Sequence, residues 1–396
     1  MSLFGGDSLL GLDLGSSTLK GVKAQKVRGR WALTGAAVVP TPPAALQEGM
    51  VVDPSLLVPA LRQLGDRLNA RGAQVVAAIH YTPAVMVQRV AAPLLKPEPF
   101  RKLLRSRPDQ FGLVADEDRV TDFDILGPLP DGDPPQMDVV LVTAPRAAVE
   151  NRAQAIEAAG FDVVAMDVEP LALMRTLVEC KPNVANRSSS LAILDLGARH
   201  TDVTIVRGPN FIFTRAIPIG GSTLTEAVER ALQCSREAAE ELKQHIDLEW
   251  LLSGPGGAAD TEAYRAASAV KPFLDELLKE VNNSLVFWHA QLPENDLEGM
   301  VDTIVLAGAA SHLQGLVSFM QTLFTQRIEP ATLGDDFAFP ILCAGSELPP
   351  RGGAVFALAA GLAVKEPMDY ARAAQAKALR AKRSAEGGVR AAAGAR

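Results

Sequence analysis

One stretch of this chain occurs twice, and that recurrence restricts the fold more than any other feature. Leu10-Gly11-Leu12-Asp13-Leu14-Gly15-Ser16-Ser17-Thr18-Leu19-Lys20 returns in altered form as Ile193-Leu194-Asp195-Leu196-Gly197-Ala198-Arg199-His200-Thr201. Each copy is an apolar run ending in Asp-Leu-Gly, then a turn of small or hydroxylated residues, then a second alternating apolar run over 19–24 or 203–206. The pattern predicts a β-hairpin with a phosphate-sized tip. Glycine lets backbone approach an anion, turn N–H groups point into the concavity, and Ser or Thr hydroxyls add donors. The Asp before the turn repels phosphate but can hold a hydrated Mg²⁺ that bridges to it. Asp13 and Asp195 are therefore the candidate metal ligands. Gly15, Ser16, Ser17 and Thr18, with Gly197, Ala198, Arg199, His200 and Thr201, are the candidate phosphate donors, by backbone or side chain. Lys20 either reaches the phosphates or faces solvent from its strand. A single Asp-x-Gly-Ser is an ordinary turn. Two copies whose acids lie 182 residues apart in a chain of 396 predict a duplicated domain, one hairpin per half, closing as a clamp.

That length suits two domains or one bilobal unit. With 48% hydrophobic residues and a net charge of −7 the composition is that of a soluble globular protein and argues against a general nucleic-acid binder. Cys180, Cys234 and Cys343 are far apart and form no Cys-x-x-Cys, and the histidines show no His-x-x-x-His, so neither a disulfide framework nor a transition-metal site is expected. Residues 1–7 lack the basic and apolar regions of a signal peptide, and 352–364 is too short to cross a bilayer, which leads us to expect a cytoplasmic protein.

Along the chain, the first hairpin is followed by a strand over 31–38, a helix over 54–68 that Asp53 caps, and a strand over 75–80. From 83 to 144 the texture changes to short strands (85–90, 121–126, 138–144) around a helix at 99–104, which predicts a small inserted αβ subdomain where a partner could dock. A helix over 146–159, with Val149, Ala153 and Ile156 on one face, precedes a strand over 161–168 and a helix opened by Glu169-Pro170. The helix dipole alone explains a Glu there; at the floor of a cleft it would order a water or the metal, and it is the one candidate catalytic group. After a polar linker over 183–190 and the second hairpin, a strand over 211–216 leads to Gly220-Gly221 at the start of a helix, a place for close ligand approach. A serine-capped helix from 235 follows, then a long helix over 271–292, a buried strand over 301–306, and a small-residue turn, Gly308-Ala309-Ala310-Ser311, that suits stacking of a flat ring before a helix over 313–324. Residues beyond 369 are Ala-rich and basic, and predict a disordered tail.

The paired hairpins resemble the two phosphate motifs of the actin, sugar kinase and heat-shock chaperone ATPases, and the Glu169 segment resembles their first connecting segment. Ile217-Pro218-Ile219-Gly220-Gly221, with Leu224-Thr225 and then Ala239-Glu240-Glu241-Leu242-Lys243, closely resembles the type IV pilus assembly protein PilM family and its relative, the cell-division protein FtsA family. The resemblance implies an α/β, duplicated actin-like (ribonuclease H-like) two-lobed ATPase fold with an inserted small αβ subdomain. Its parts would be 1–82 plus 145–185 as the first lobe, 83–144 as the insert, 186–368 as the second lobe and 369–396 as the tail. It implies ATP and Mg²⁺ as cofactors, with Glu240 and Lys243 against the nucleoside, where residue spacing alone reads as an (i, i+3) charge pair. Gly308, Ala309 and Ser311 match the adenosine motif, with alanine where the superfamily has its second glycine. At most a slow ATPase is implied. The implied partner is a PilN-like inner-membrane protein, bound through its cytoplasmic N-terminal peptide, together with other pilus assembly proteins, so that membrane contact is indirect. An FtsA-like filament-forming membrane adaptor and a small-molecule kinase of the same superfamily are the alternatives.

Overall fold

Apolar runs in the two halves build two five-stranded sheets of the same connectivity. In the first, Asp162–Val168, Gln74–Ile79, Ser8–Leu14, Thr18–Val27 and Arg30–Pro40 lie side by side in that order. The second repeats it with Arg327–Pro330, Val301–Ala307, Ser190–Leu196, Thr201–Arg207 and Asn210–Ile217. Each begins as an antiparallel meander of three strands whose first strand then pairs in parallel with a later one. The computed structural model describes residues 8–47, 49–82, 84–129, 133–186, 188–254, 261–294, 296–334, 336–343 and 353–365. The tail beyond 369, Gly352 and residue 83 lie outside them.

The hairpins' first strands are covered on both faces, which is why they read as near-continuous apolar runs; Leu9, Leu10, Leu12 and Leu14 are all buried. One face of the first sheet packs on the helices Pro54–Arg67 and Arg146–Ala158 through Leu57, Leu61, Leu64, Ala155 and Ile156. Asp53 caps the first of these, accepting the Ser55 N–H at 2.9 Å. In the second, Ala148, Arg152, Ala155 and Ile156 are buried, while Val149, which packs on the neighbouring core, and Ala153 are half-buried at the margin of a stripe that holds a fully buried guanidinium. The second sheet packs on Gly221–Leu232 and Glu262–His289.

Two segments cross between the sheets. Glu169–Met174 continues as a π-helical turn, Arg175–Glu179, and packs against the last helix, Gly353–Ala363, which is buried all round. A Cβ at Gly361 would collide with the Ala172 carbonyl, so glycine is what lets these segments cross closely. The helix expected over 313–324 is instead a 3₁₀ turn, Ala309–His312, and a short helix, Leu316–Gln321, separated by left-handed Gly315 at φ 76°. Met86–Pro93, Gln136–Pro145 and Arg119–Pro128 form a small antiparallel sheet, closed by the helix Pro97–Ser106 through Phe100 and Leu104. Arg89 on it pairs with Asp138 and donates to the Phe211 carbonyl of the second lobe at 3.4 Å. Among the described residues no helix is long and apolar enough to cross a membrane.

Candidate functional site

The two hairpin tips meet at one cavity. Asp13, Gly15, Ser16, Ser17, Thr18 and Lys20 line it from the first sheet, Asp195, Gly197, Ala198, Arg199, His200 and Asp202 from the second, and His80, Glu169, Gly308 and Ala309 are among the other lining residues. Its volume is about 80 Å³, space for a few waters and well under the roughly 300–1,000 Å³ of sites that hold larger ligands. That leaves little room between the two hairpin tips.

Lys20 lies directly across the ladder from Asp13, and its ammonium meets the Asp13 carboxylate at 2.8 Å, both groups buried. The strand lysine therefore faces the site and not solvent. Burial disfavours its charge, but Asp13, backed by Asp195 and Glu169, lifts its pKa above the ordinary lysine value. In the second hairpin the residue across from Asp195 is another acid, Asp202. Burial, then Glu169 and Asp13, push the Asp195 carboxyl up to about 7. Asp202 is raised well above the carboxylate range by burial and by Glu169 and Asp195, and its Oδ1 is buried with no hydrogen-bond partner among the described residues.

Glu169 lies at the cavity floor, at the first position of its helix. Its Oε2 accepts the Tyr81 N–H at 2.8 Å and pairs with His80 Nδ1 at 2.7 Å. Burial opposes its charge, but His80, the Tyr81 amide and Arg152 hold its pKa below normal. Against burial, Glu169 and then Asp202 raise His80 to about 9, so His80 is a cation at neutral pH. Its other nitrogen lies 3.4 Å from His200 Nδ1, across the gap between the lobes. Arg152 sits behind this group, giving its donors to the carbonyls of Gly49 at 2.7 Å and Ala78 at 3.0 Å.

Several expected donors are already engaged. The Thr201 hydroxyl donates to the Ile219 carbonyl at 2.8 Å and is fully buried, so it does not line the cavity. The N–H groups of Gly221 and Ser222 donate to the carbonyls of Gly197 at 2.9 Å and Ala198 at 2.7 Å. Gly220 and Gly221 thus brace the second tip from behind instead of opening toward a ligand, and a Cβ at Gly220 would sit 2.7 Å from the Ala198 carbonyl oxygen. Lys243 is bonded to Glu240 at 2.7 Å, to the Thr225 hydroxyl at 2.9 Å and to the Gly221 carbonyl at 3.1 Å. This cluster adjoins Ala310 but lies outside the cavity. Ser311 turns its hydroxyl back to the Gly308 carbonyl at 2.7 Å. Gly308 itself, at φ 82°, lies so close to the second hairpin that a Cβ would meet Asp195 Oδ1 and the Leu196 carbonyl at 2.5 Å.

Asp202, His80, Tyr81 and Arg152 were not anticipated from sequence. Asp202 could have been found by superposing the two copies, since it follows Asp195 by the same interval as Lys20 follows Asp13. The other three have no local signal, because a strand end and an alanine-rich helix face carry them to the site.

Comparison with known proteins agrees with this architecture. The family model described as type IV pilus assembly protein PilM matches residues 11–366. The solved "PilM-PilN type IV pilus biogenesis complex" superposes with a TM-score of 0.74 at 28% identity, covering 90% of this chain and 98% of that one. Ethanolamine utilization protein EutJ from Carboxydothermus hydrogenoformans, at 14% identity and a TM-score of 0.51 over 91% of this chain and 90% of its own, shares the fold. Cell division protein FtsA of Streptococcus pneumoniae serotype 2 is 26% identical over 198 residues, 49% of this chain and 42% of the relative. FtsA of Enterococcus faecalis is 22% identical over 348 residues, 81% of this chain and 77% of the relative. The match thus spans less than half the length of the first of these FtsA proteins. The duplicated fold expected from the repeat is the actin-like fold.

Proposed function

The chain belongs to the type IV pilus assembly protein PilM family, and from that premise we propose that it is a cytoplasmic ATP-binding scaffold of the pilus assembly machinery. One observation carries the reading: two like-built hairpins, one from each sheet, bring their small-residue tips and their acids to a single cavity. When the lobes part, the tips at 15–18 and 197–200 offer N–H and hydroxyl donors to a triphosphate. Glu240 and Lys243 beside Ala310 then take the nucleoside.

The acids fit a hydrated divalent ion. Among the described residues no group of three or more His, Cys, Asp or Glu is gathered to chelate a bare metal. Mg²⁺ keeps most of its waters and needs only one or two carboxylates beside the phosphates. Asp13 and Asp195 would hold it, and the raised Asp195 with the Asp202 oxygen, unpartnered among the described residues, is the donor chemistry that a cation relieves. The ion would neutralise phosphate charge. Glu169, fixed by His80 and Tyr81, would orient a water near it, and turnover is slow at most.

The division into lobes at 1–82 plus 145–185 and 186–368, with 83–144 as the insert, belongs to the same proposal. A PilN-like inner-membrane protein would dock its cytoplasmic N-terminal peptide on the insert, which exposes Met86, Leu94 and Val114, the last 82% exposed.

Calorimetric titration of Mg-ATP tests the clamp. We expect saturable binding, weakened more than about tenfold in Asp195→Ala; undiminished affinity in that variant would overturn the assignment. The peptide's affinity for Leu94→Glu and Val114→Glu proteins tests the docking site, which is wrong if both bind like the wild type. Phosphate release with and without the peptide separates a scaffold, near background, from an engine.

A further inference from the structure

A larger cavity, about 350 Å³, lies away from the cleft, where the segment connecting the lobes passes the outer strand of the second sheet. Leu177 of the π-helical turn and Lys181 just beyond it form one wall, Arg327 and Val305 another, and Thr332 and Asp336 a third. Its volume falls inside the range of about 300–1,000 Å³ that small-molecule sites occupy.

Lys181 makes this more than a packing gap. The residue is only 9% exposed, and a buried ammonium needs partners for three N–H donors. Among the described residues it meets the Thr332 hydroxyl at 3.4 Å, a long hydrogen bond, and Asp336 Oδ1 at 3.7 Å, beyond hydrogen-bond distance. Asp336 has a side chain 38% exposed, so it can turn to water at little cost. Arg327, by contrast, is engaged with Glu329 at 2.8 Å. One largely buried cation, held by a long hydrogen bond and a loose ion pair, thus stands at the edge of a space lined by Leu177 and Val305.

We infer that this cavity binds a small organic acid, its carboxylate on Lys181 and Thr332 and its apolar body against Leu177 and Val305. The site bears on the lobes' junction. The chain past Thr332 donates the Ala338 N–H to the Cys180 carbonyl at 2.8 Å, and then exchanges bonds with Leu33 at the edge of the first sheet, from Leu33 N–H to Pro340 at 2.9 Å and from Leu342 N–H to Leu33 at 2.7 Å. A bound acid would brace the strap that joins the lobes, whether or not the cleft takes nucleotide.

The test is saturation-transfer NMR on the full chain without nucleotide, with 3-phenylpropanoate as probe and 3-phenylpropanamide as its neutral twin. Saturable binding of the acid with a Kd on the order of 1 mM or tighter is expected, and binding at least about tenfold weaker for the amide. Lys181→Met should lose the preference for acid over amide, and Leu177→Trp, which fills the cavity and keeps the lysine, should lose both ligands. The inference is overturned if the wild type shows no saturable binding of the acid, if it binds the amide as well as the acid, or if the acid binds Lys181→Met unchanged. The comparison of acid and amide needs only wild-type protein, so it stands if a variant fails to fold.

Discussion

The two hairpins share a backbone and differ in charge. Both pair their strands from a register in which the acid before the turn faces a residue seven positions later, Asp13 opposite Lys20 and Asp195 opposite Asp202. The first arm therefore neutralises its acid within itself. The second sets two carboxylates opposite each other, an arrangement that destabilises a sheet, and Lys20 and His80, whose charges favour their ionisation, both come from the other lobe. Duplication has preserved the strand order while the electrostatic roles have separated: one arm is complete when empty, and the other is complete only with a proton, the opposite lobe or a metal ion.

The same isosteric change should then act in opposite directions at equivalent positions. Asp13→Asn leaves the Lys20 ammonium buried without its counter-charge, and breaking a buried pair in this way costs about 3 kcal/mol; denaturant unfolding of the nucleotide-free protein should show it. The tips themselves should respond alike. A Cβ at Gly15 would lie 2.8 Å from the Thr18 carbonyl oxygen, and one at Gly197 would lie 2.9 Å from that of His200. Gly15→Ala and Gly197→Ala should therefore each cost about 1–3 kcal/mol and agree closely. Unequal losses would mean that the backbones are not equivalent. Asp195→Asn, which removes a strained ionisation, should stabilise the empty protein by about 1 kcal/mol while it weakens Mg-ATP binding. A loss of stability there as large as for Asp13→Asn would erase the distinction between the arms.

How far these features could be read in advance follows from how local their causes are. The hairpins, the Asp53 cap and the burial of both hairpin strands depend on nearest neighbours in sequence, and the two copies disclosed the duplication. The direction of Lys20 was open because a strand side chain's face depends on what covers it. The engaged donors of Thr201, Gly220 and Gly221 were misjudged because the groups that satisfy them are brought round by a turn that no periodicity marks. Arg152 was missed for a related reason: helix-face reasoning expects an apolar residue inside, and its partners are carbonyls at Gly49 and Ala78. Val149 and Ala153 accordingly lie half-buried at the margin of a stripe that holds a guanidinium.

The smallest effect concerns the cation that the second arm borrows. His80 lies between Glu169 and His200, with Asp202 nearby attracting its charge and Arg152 opposing it. Its pKa in the folded chain, about 9, exceeds the unfolded value near 6.5. The stabilisation is therefore complete below about pH 6.5 and is lost as pH rises to 9. Asp195 adds nothing to that slope above its own value of about 7, because it is then ionised in both states; between the ordinary carboxylate range and 7 the native state keeps a proton the unfolded chain has lost, so stability falls there too as pH rises. Without nucleotide or magnesium, the Tm should drop by a few degrees between pH 7 and pH 9. His80→Gln should make the drop between pH 7 and pH 9 smaller than in the wild type, any remainder belonging to the raised Asp202, and leave the decline below pH 7 in place. A drop above pH 7 as large in His80→Gln as in the wild type would mean that the cation supplied across the cleft is not what steadies the second arm.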